Sequence, residues 1–238
     1  MSGVGVGERP SGAMRTSDPA AACTSAVSRP AKRRVLPLHA PGLRIGLFGG
    51  TFDPPHEAHL RASLLAMKRL GLDRVWWLVT PGNPLKDTRH LASLDERIAA
   101  ARALARHPRI DVTGIEADIG THYSHDTVAW LKARCRGVHF VWIMGADNLR
   151  SFHRWQKWRA FIRLMPIAVV DRLGPSLYAM AGAAAQALAR ARIPDSAARS
   201  LVGRKPPAWV YLHGIKSALS STALRARREV SQKGRATA

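Results

Sequence analysis

Two histidines stand at helical spacing just after a glycine pair in the stretch GGTFDPPHEAH, residues 49–59. Because the glycines at 49 and 50 have no Cβ, a phosphate can come close to their backbone N–H groups. Prolines at 54 and 55 suit the first turn of a helix, and His56 and His59, three residues apart, share one face of that helix. Imidazoles with no activated nucleophile beside them favour stabilisation of a charged transition state. The alternative is a structural glycine turn followed by two surface histidines.

Alternating strand and helix patterns surround this stretch and predict how it is positioned. Short apolar runs predict buried strands at 44–48, 74–79, 109–113, 138–144, 167–170 and 209–212. Amphipathic or alanine-rich segments predict helices at 57–70, from the Ser93–Glu96 capping box towards 107, and at 125–135, 177–192 and 222–230. This order predicts an α/β fold with a doubly wound parallel sheet. Ligands of such sheets bind beyond the carboxyl ends of the strands.

Four motifs in the chain, taken in order, resemble those of the HIGH-type nucleotidylyltransferases, and of bacterial nicotinate-mononucleotide adenylyltransferases in particular. They are GGTFDPPHEAH at 49–59, YSHDT at 123–127, WIMGADN at 142–148 followed by Phe152, Trp155 and Trp158, and SSTALR at 220–225. The sequence departs from the family pattern at Ala58, where HxGH has glycine, and at Leu224, where isoleucine is usual. The second change conserves volume.

The resemblance implies a Rossmann-like nucleotidylyltransferase fold and transfer of an adenylyl group from ATP to nicotinate mononucleotide, with release of pyrophosphate, in NAD biosynthesis. The residues that it implies as catalytic are His56, His59 and Arg225. Those implied to bind ATP are Gly49, Gly50, Thr51, Phe52, Gly145, Asp147, Ser221 and Thr222. Mg²⁺ is expected to travel with the ATP and to have no protein metal site of its own. Nicotinamide mononucleotide and phosphopantetheine are the alternative acceptors.

Two residues are expected to meet the acceptor. The resemblance implies that Trp155 stacks on the pyridine ring. Lys86 follows the second predicted strand at the ligand-binding edge of the sheet and is expected to neutralise a substrate phosphate or carboxylate, the alternative being a solvated loop lysine. His122 and His125 are spaced as metal ligands could be, but no third ligand is evident in the sequence.

Charge raises a different possibility, because 37 Lys and Arg against 16 Asp and Glu give a net charge of +21 at pH 7. The excess is spread along the chain, and a helix-turn-helix signature, zinc-ligand spacing and an RNA-binding aromatic motif are all missing. A nucleic-acid-binding protein is therefore the distant alternative, and we expect neither a nucleic-acid nor a membrane partner. With 46% apolar residues the chain is not wholly disordered, and it has no run of about 18 apolar residues that could span a bilayer.

Composition along the chain predicts three parts. Residues 1–40, rich in Gly, Ser, Ala and Pro, are expected to form a disordered basic extension, residues 41–232 the nucleotidylyltransferase domain and residues 233–238 a tail. The N-terminal segment lacks the apolar core of a secretory signal. Cys23 and Cys135 are far apart in the sequence and form no CxxC pattern. They therefore do not indicate a disulfide scaffold or a zinc site. A reducing cytoplasm is the expected location.

Overall fold

The computed structural model describes residues 36–82, 90–172 and 179–215. Within these ranges the strands form one parallel sheet in the order β3-β2-β1-β4-β5-β7-β6. The strands are β1 (Arg44–Gly50), β2 (Arg74–Val79), β3 (Ile110–Thr113), β4 (His139–Gly145), β5 (Ile167–Arg172), β6 (Arg192–Ile193) and β7 (Trp209–Ile215). The predicted doubly wound parallel α/β fold is confirmed.

Helices connect these strands. They are α1 (Glu57–Leu70), α2 (Leu94–Leu104), α3 (Ile115–Ile119), α4 (Ser124–Arg134), α5 (Ala146–Ser151), α6 (Trp158–Phe161) and α7 (Ala183–Ala187), together with 3₁₀ helices at Phe152–Arg154, Ala189–Ala191 and Asp195–Gly203. The predicted capping box of α2 is present, with Ser93 and Glu96 bonded reciprocally. In the part of the chain described, no helix is long and apolar enough to cross a membrane.

The prediction of one continuous helix over 177–192 is wrong. Helix α7 begins only after the extended Gly182 and has ended by Leu188, and the chain then turns through a 3₁₀ helix into β6. In β6, Arg192 and Ile193 pair with Trp209 and Val210 of β7. Alanine has the highest helix propensity of any residue, but propensity is small beside tertiary interactions, and pairing with β7 overrides it here. The helix predicted at 222–230 lies outside the described residues.

Helices cover both faces of the sheet, so the strands read as continuous apolar runs. In β2, Trp76 belongs to the apolar cluster on one face and Trp77 to the cluster on the other, and both are fully buried. In β4, Trp142 and Ile143 divide in the same way. The two-sided core fixes the register of each central strand, because a slip of one residue would exchange every side chain between faces.

The strand order reverses between β1 and β4, which is where doubly wound folds bind ligands. These strands are in register from Arg44 beside His139 to Phe48 beside Ile143. Two residues further on, Gly50 and Gly145 end the two strands at the same edge of the sheet. The fold therefore brings the loop of the first motif next to the GADN segment.

Candidate active site

The loop after β1 is held by an aromatic side chain that points into the core. Phe52 has φ 48°, a backbone conformation that bulky residues rarely adopt. Its buried ring stacks on Trp77 with centroids 4.9 Å apart and an angle of 16° between the planes, and that packing stabilises the strained backbone. Because the ring is buried, Phe52 can offer a ligand its backbone but not its side chain. The predicted backbone role of Phe52 and of the neighbouring Thr51 stays a prediction.

Glycine at position 49 has a packing reason that the motif alone does not reveal. A Cβ there would lie 2.7 Å from the Trp142 ring, closer than any real contact. At Gly50 a Cβ would meet the Phe52 ring at 3.3 Å, which is tight but not impossible. Both glycines are half-buried at the end of β1. Close approach of a phosphate to them remains the prediction made from sequence.

His59 is a buried side chain, 7% exposed, in the first turn of α1. Its Nδ1 accepts a hydrogen bond of 3.2 Å from the backbone N–H of His56. In a neutral imidazole one nitrogen accepts and the other carries the proton, so Nε2 of His59 is the donor. The ring lies against Phe52, with centroids 4.8 Å apart, and is tilted by 46°. His59 is thus a fixed Nε2–H donor at the ligand-binding edge of the sheet.

The backbone of α1 adds a second anchor for His59. The Ser63 hydroxyl donates a hydrogen bond of 2.9 Å to the His59 carbonyl oxygen, and Trp77 Nε1–H donates at 2.8 Å to the same hydroxyl. All three residues are buried. This chain of hydrogen bonds ties the turn carrying His59 to the core of β2.

His56 precedes the helix as its N-cap residue and has extended backbone angles, φ −146° and ψ 164°. Its ring centroid nevertheless lies 3.8 Å from that of His59. At 5% exposure, His56 is as buried as its neighbour, so the alternative of two surface histidines is wrong.

Ala58, the departure from the family pattern, is fully buried at 0% exposure. Its methyl group packs within the protein and does not project into an open cleft. The substitution for glycine is therefore accommodated inside the packed protein.

The GADN segment forms the turn between β4 and α5. Gly145 is buried and is the N-cap residue of α5, whereas Asp147, two residues later, is exposed. Of this predicted pair, only Asp147 can present a side chain to solvent. Their roles in binding ATP stay predictions, but the fold places them beside the loop that carries Gly50.

Trp155 is half-buried and is held by edge contacts. Its ring makes T-shaped contacts with Phe152, Trp142 and Phe161 at centroid distances of 5.2, 6.2 and 6.1 Å. By contrast, the guanidinium of Arg159 lies over the ring of Trp158, 4.6 Å from its centroid. These T-shaped contacts orient the Trp155 ring, and its stacking on the pyridine ring stays a prediction.

Two buried charged residues near this edge are absent from the sequence motifs. Arg97 lies in the first turn of α2 and Glu116 in α3, with exposures of 3% and 4%. The sequence did mark Arg97 as unusual, because a cation in the first turn of a helix opposes the helix dipole. For Glu116 there was no such signal, because an acid near the start of a helix is ordinary.

Glu116 is a carboxyl group with threonine hydroxyls as neighbours. Burial raises its pKa, and hydrogen bonds from Thr80 and Thr127 partly offset the rise. The Thr127 hydroxyl lies 3.4 Å from Oε1. Because Thr80 directly follows β2, this network supports the loop at the ligand-binding edge.

We expect Glu116→Gln to be more stable than wild type at high pH, by a margin that grows as the pH rises. The raised pKa means that the folded protein keeps a proton that the unfolded chain has lost, so wild-type stability falls as the pH climbs above the ordinary carboxyl range. The amide cannot ionise and escapes that loss. Melting curves at about pH 4 and about pH 8 should show the variant gaining at least ~2 °C on wild type at the higher pH. An equal difference at both pH values would contradict the prediction.

Four predicted site residues, Lys86, Ser221, Thr222 and Arg225, lie outside the described residues, and their roles remain predictions. His125 lies within them and contacts a carboxylate, with Nδ1 2.8 Å from Oδ1 of Asp126. Across residues 36–82, 90–172 and 179–215 no three His, Cys, Asp or Glu side chains are grouped as a metal site.

Known proteins are similar to this chain in sequence and in fold. A cytidylyltransferase-like family model matches residues 47–227. A probable nicotinate-nucleotide adenylyltransferase of Methylorubrum extorquens is 60% identical over 185 residues, covering 78% of this chain and 100% of the relative. The chain belongs to the nicotinate-nucleotide adenylyltransferase family.

Other members of the nicotinate-nucleotide adenylyltransferase family are also similar to the chain. A probable nicotinate-nucleotide adenylyltransferase of Rhizobium meliloti is 52% identical over 183 residues, 77% of this chain and 97% of the relative. Nicotinic acid mononucleotide adenylyltransferase of Plasmodium falciparum, complexed with APC, superposes with a TM-score of 0.56 at 15% identity, over 77% of this chain and 83% of that one. The structural likeness shows that the two share a fold.

Proposed function

We propose that the chain transfers an adenylyl group from ATP to nicotinate mononucleotide, giving nicotinate adenine dinucleotide and pyrophosphate, a step of NAD biosynthesis. The observation that carries this proposal is 60% identity to the Methylorubrum extorquens relative over that relative's whole length. The close pair His56 and His59, at the point where the strand order reverses, supplies a matching anion site.

The reaction is an in-line displacement at the α-phosphorus. A phosphate oxygen of nicotinate mononucleotide forms a bond to the α-phosphorus. At the same time the bond between the α-phosphorus and the oxygen that bridges it to the β-phosphorus breaks. Pyrophosphate leaves with the electron pair of that bond. Positioning and neutralisation of charge dominate such reactions. We assign His59 Nε2–H to the α-phosphate, where it stabilises charge in the transition state. His56 contacts the neighbouring phosphate oxygens.

The remaining contacts are assigned by position in the fold. Gly49, Gly50, Thr51 and Phe52 offer backbone groups to ATP, while Gly145 and Asp147 line the adenosine side. We further assign Ser221, Thr222 and Arg225 to the β- and γ-phosphates, which they suit as hydroxyl and guanidinium donors. Mg²⁺ enters as part of the substrate, bound to the triphosphate. A cytoplasmic location is our further proposal, and it agrees with a free, buried Cys135.

Acceptor choice tests the function directly. Trp155 and Lys86 are the groups that we assign to nicotinate mononucleotide. We expect pyrophosphate release from ATP to have a kcat/KM at least about tenfold higher with this acceptor than with nicotinamide mononucleotide or phosphopantetheine. Coupled pyrophosphate detection with each acceptor in turn provides the measurement. Equal or better turnover with either alternative would contradict the proposal.

A further inference from the structure

Arg97 is a buried cation, and its hydrogen bonds to the described residues go to backbone carbonyl oxygens. Its Nε donates to Ala92 at 2.9 Å, and Nη2 donates to Pro81 at 3.1 Å. From Nη1, bonds of 2.8 and 2.7 Å reach Thr51 and Thr80. The side chain thus uses the wide fork of a guanidinium, with no carboxylate in hydrogen-bond contact among these partners.

Three of these carbonyls belong to two neighbouring loops at the ligand-binding edge, and the fourth, of Ala92, lies just before α2. Thr51 follows β1 in the first motif, and Thr80 and Pro81 follow β2. The strands are paired up to Gly50 beside Val79, and the Thr80 N–H donates to the Gly50 carbonyl at 3.0 Å. In the sequence, the segment after β2 continues to Lys86, which we assign to the acceptor. One guanidinium therefore joins the loop that we assign to ATP to the loop that leads to the acceptor.

A cation in this place carries two electrostatic costs. Burial lowers the pKa of Arg97, an effect that the nearby carboxylate of Asp53 partly offsets. A cation in the first turn of α2 also opposes the helix dipole. The four hydrogen bonds to backbone carbonyl oxygens offset these costs, because those oxygens would otherwise lack a donor. The same hydrogen bonds fix the geometry of the two loops.

We propose that Arg97 is a positioning residue that sets the ATP loop and the acceptor loop at the separation that in-line attack requires. The inference rests on the proposed function, because it assigns a substrate to each loop. Arg97 itself need not touch either substrate. A displacement of about 1 Å between reacting groups can lower the rate by about 10²-fold, so loosening the two loops should act mainly on kcat.

Two substitutions at position 97 test the role. Arg97→Lys keeps the charge but offers donors from a single point, which cannot span the four carbonyls. Arg97→Met removes the charge together with its hydrogen bonds and leaves four carbonyl oxygens without their donor, so we expect it to be less stable than Arg97→Lys. We expect kcat per folded molecule to fall about 10²-fold in both, with smaller changes in KM, because the stacking contacts remain. Folded fractions come from circular dichroism.

Two matched variants control for loss of stability. Arg74→Lys removes the paired bonds of 2.7 and 2.8 Å to Asp111 at the start of β2, the opposite edge of the sheet from the site. Arg102→Lys alters an exposed arginine of the same helix, α2. We expect the first to lower the melting temperature and neither to change kcat more than about twofold, since neither side chain reaches the two loops.

The outcomes separate this inference from the proposed function. The positioning role is supported if wild type is active, both Arg97 variants have a kcat about 10²-fold lower, and the two controls keep the kcat of wild type. Active wild type with Arg97 variants that turn over like Arg74→Lys overturns that role and leaves the proposed function intact. Wild type that releases no pyrophosphate with ATP and nicotinate mononucleotide overturns both.

Discussion

Replacing His59 by asparagine is expected to lower kcat by about 10²- to 10³-fold while the protein stays folded. The asparagine oxygen falls near the position of Nδ1 and can still accept the N–H of His56, so the start of α1 is preserved. What is lost is the Nε2–H donor that we assign to the α-phosphate. Initial rates of pyrophosphate release at saturating ATP and acceptor provide the measurement.

A second substitution at the same position separates catalysis from folding. In His59→Gln an amide N–H falls near the position of Nε2, so this variant should retain more turnover than His59→Asn although its contact with His56 is lost. His139→Ala is the control, because that exposed histidine begins β4 at the opposite edge of the sheet. Near-normal turnover in His59→Asn would remove His59 from the chemistry. If His59→Gln were the slower variant, the role of the histidine would be structural.

The parts of the fold that could be predicted are those in which local pattern and global packing agree. The apolar runs that became β1, β2 and β4 are buried from both faces, so no polar alternation was needed to recognise them. Likewise α1 ends at Gly71, whose φ of 65° is the left-handed conformation typical of a helix stop. Where alanine-rich sequence carried the prediction without such signals, at 177–192, the prediction was wrong.

The site could be predicted in composition but not in detail. The motif predicted that His56 and His59 would lie together. It could not show that His56 is the N-cap residue and that its backbone fixes the tautomer of His59, since that depends on the turn at the start of α1. Nor could it supply Arg97, because the first-motif loop that this side chain reaches at Thr51 is 46 residues away from it in sequence.

The structure also gives the net charge of +21 a clearer meaning. Arginines at the start of β1 and β2 are engaged in bidentate pairs, Arg44 with Asp73 and Arg74 with Asp111, away from the site. The first pair joins β1 to the residue before β2, and the second joins β2 to β3. At the ligand-binding edge, the groups suited to phosphate within the described part of the chain include the two buried histidines.

Replacing Trp155 by leucine is expected to raise the KM for the acceptor by about 10- to 100-fold with little change in kcat. Stacking of a base on an aromatic side chain contributes ~1–3 kcal/mol, and binding that is equal in ground and transition states appears in KM. Leucine fills much of the space against Phe152 and Phe161, so the edge contacts of the core are largely replaced. Steady-state kinetics with the acceptor varied at saturating ATP provide the measurement.

Trp158→Leu is the matched control for that prediction. Trp158 belongs to the same aromatic group, but the Arg159 guanidinium lies over its ring, so its loss should leave the acceptor KM within about threefold of wild type. Trp155→Phe should fall between wild type and Trp155→Leu, because a smaller ring still stacks. Loss of kcat at unchanged KM in Trp155→Leu would mean that the indole acts on the transition state alone. An equal rise in KM for both tryptophan variants would assign the effect to packing of the loop and not to stacking.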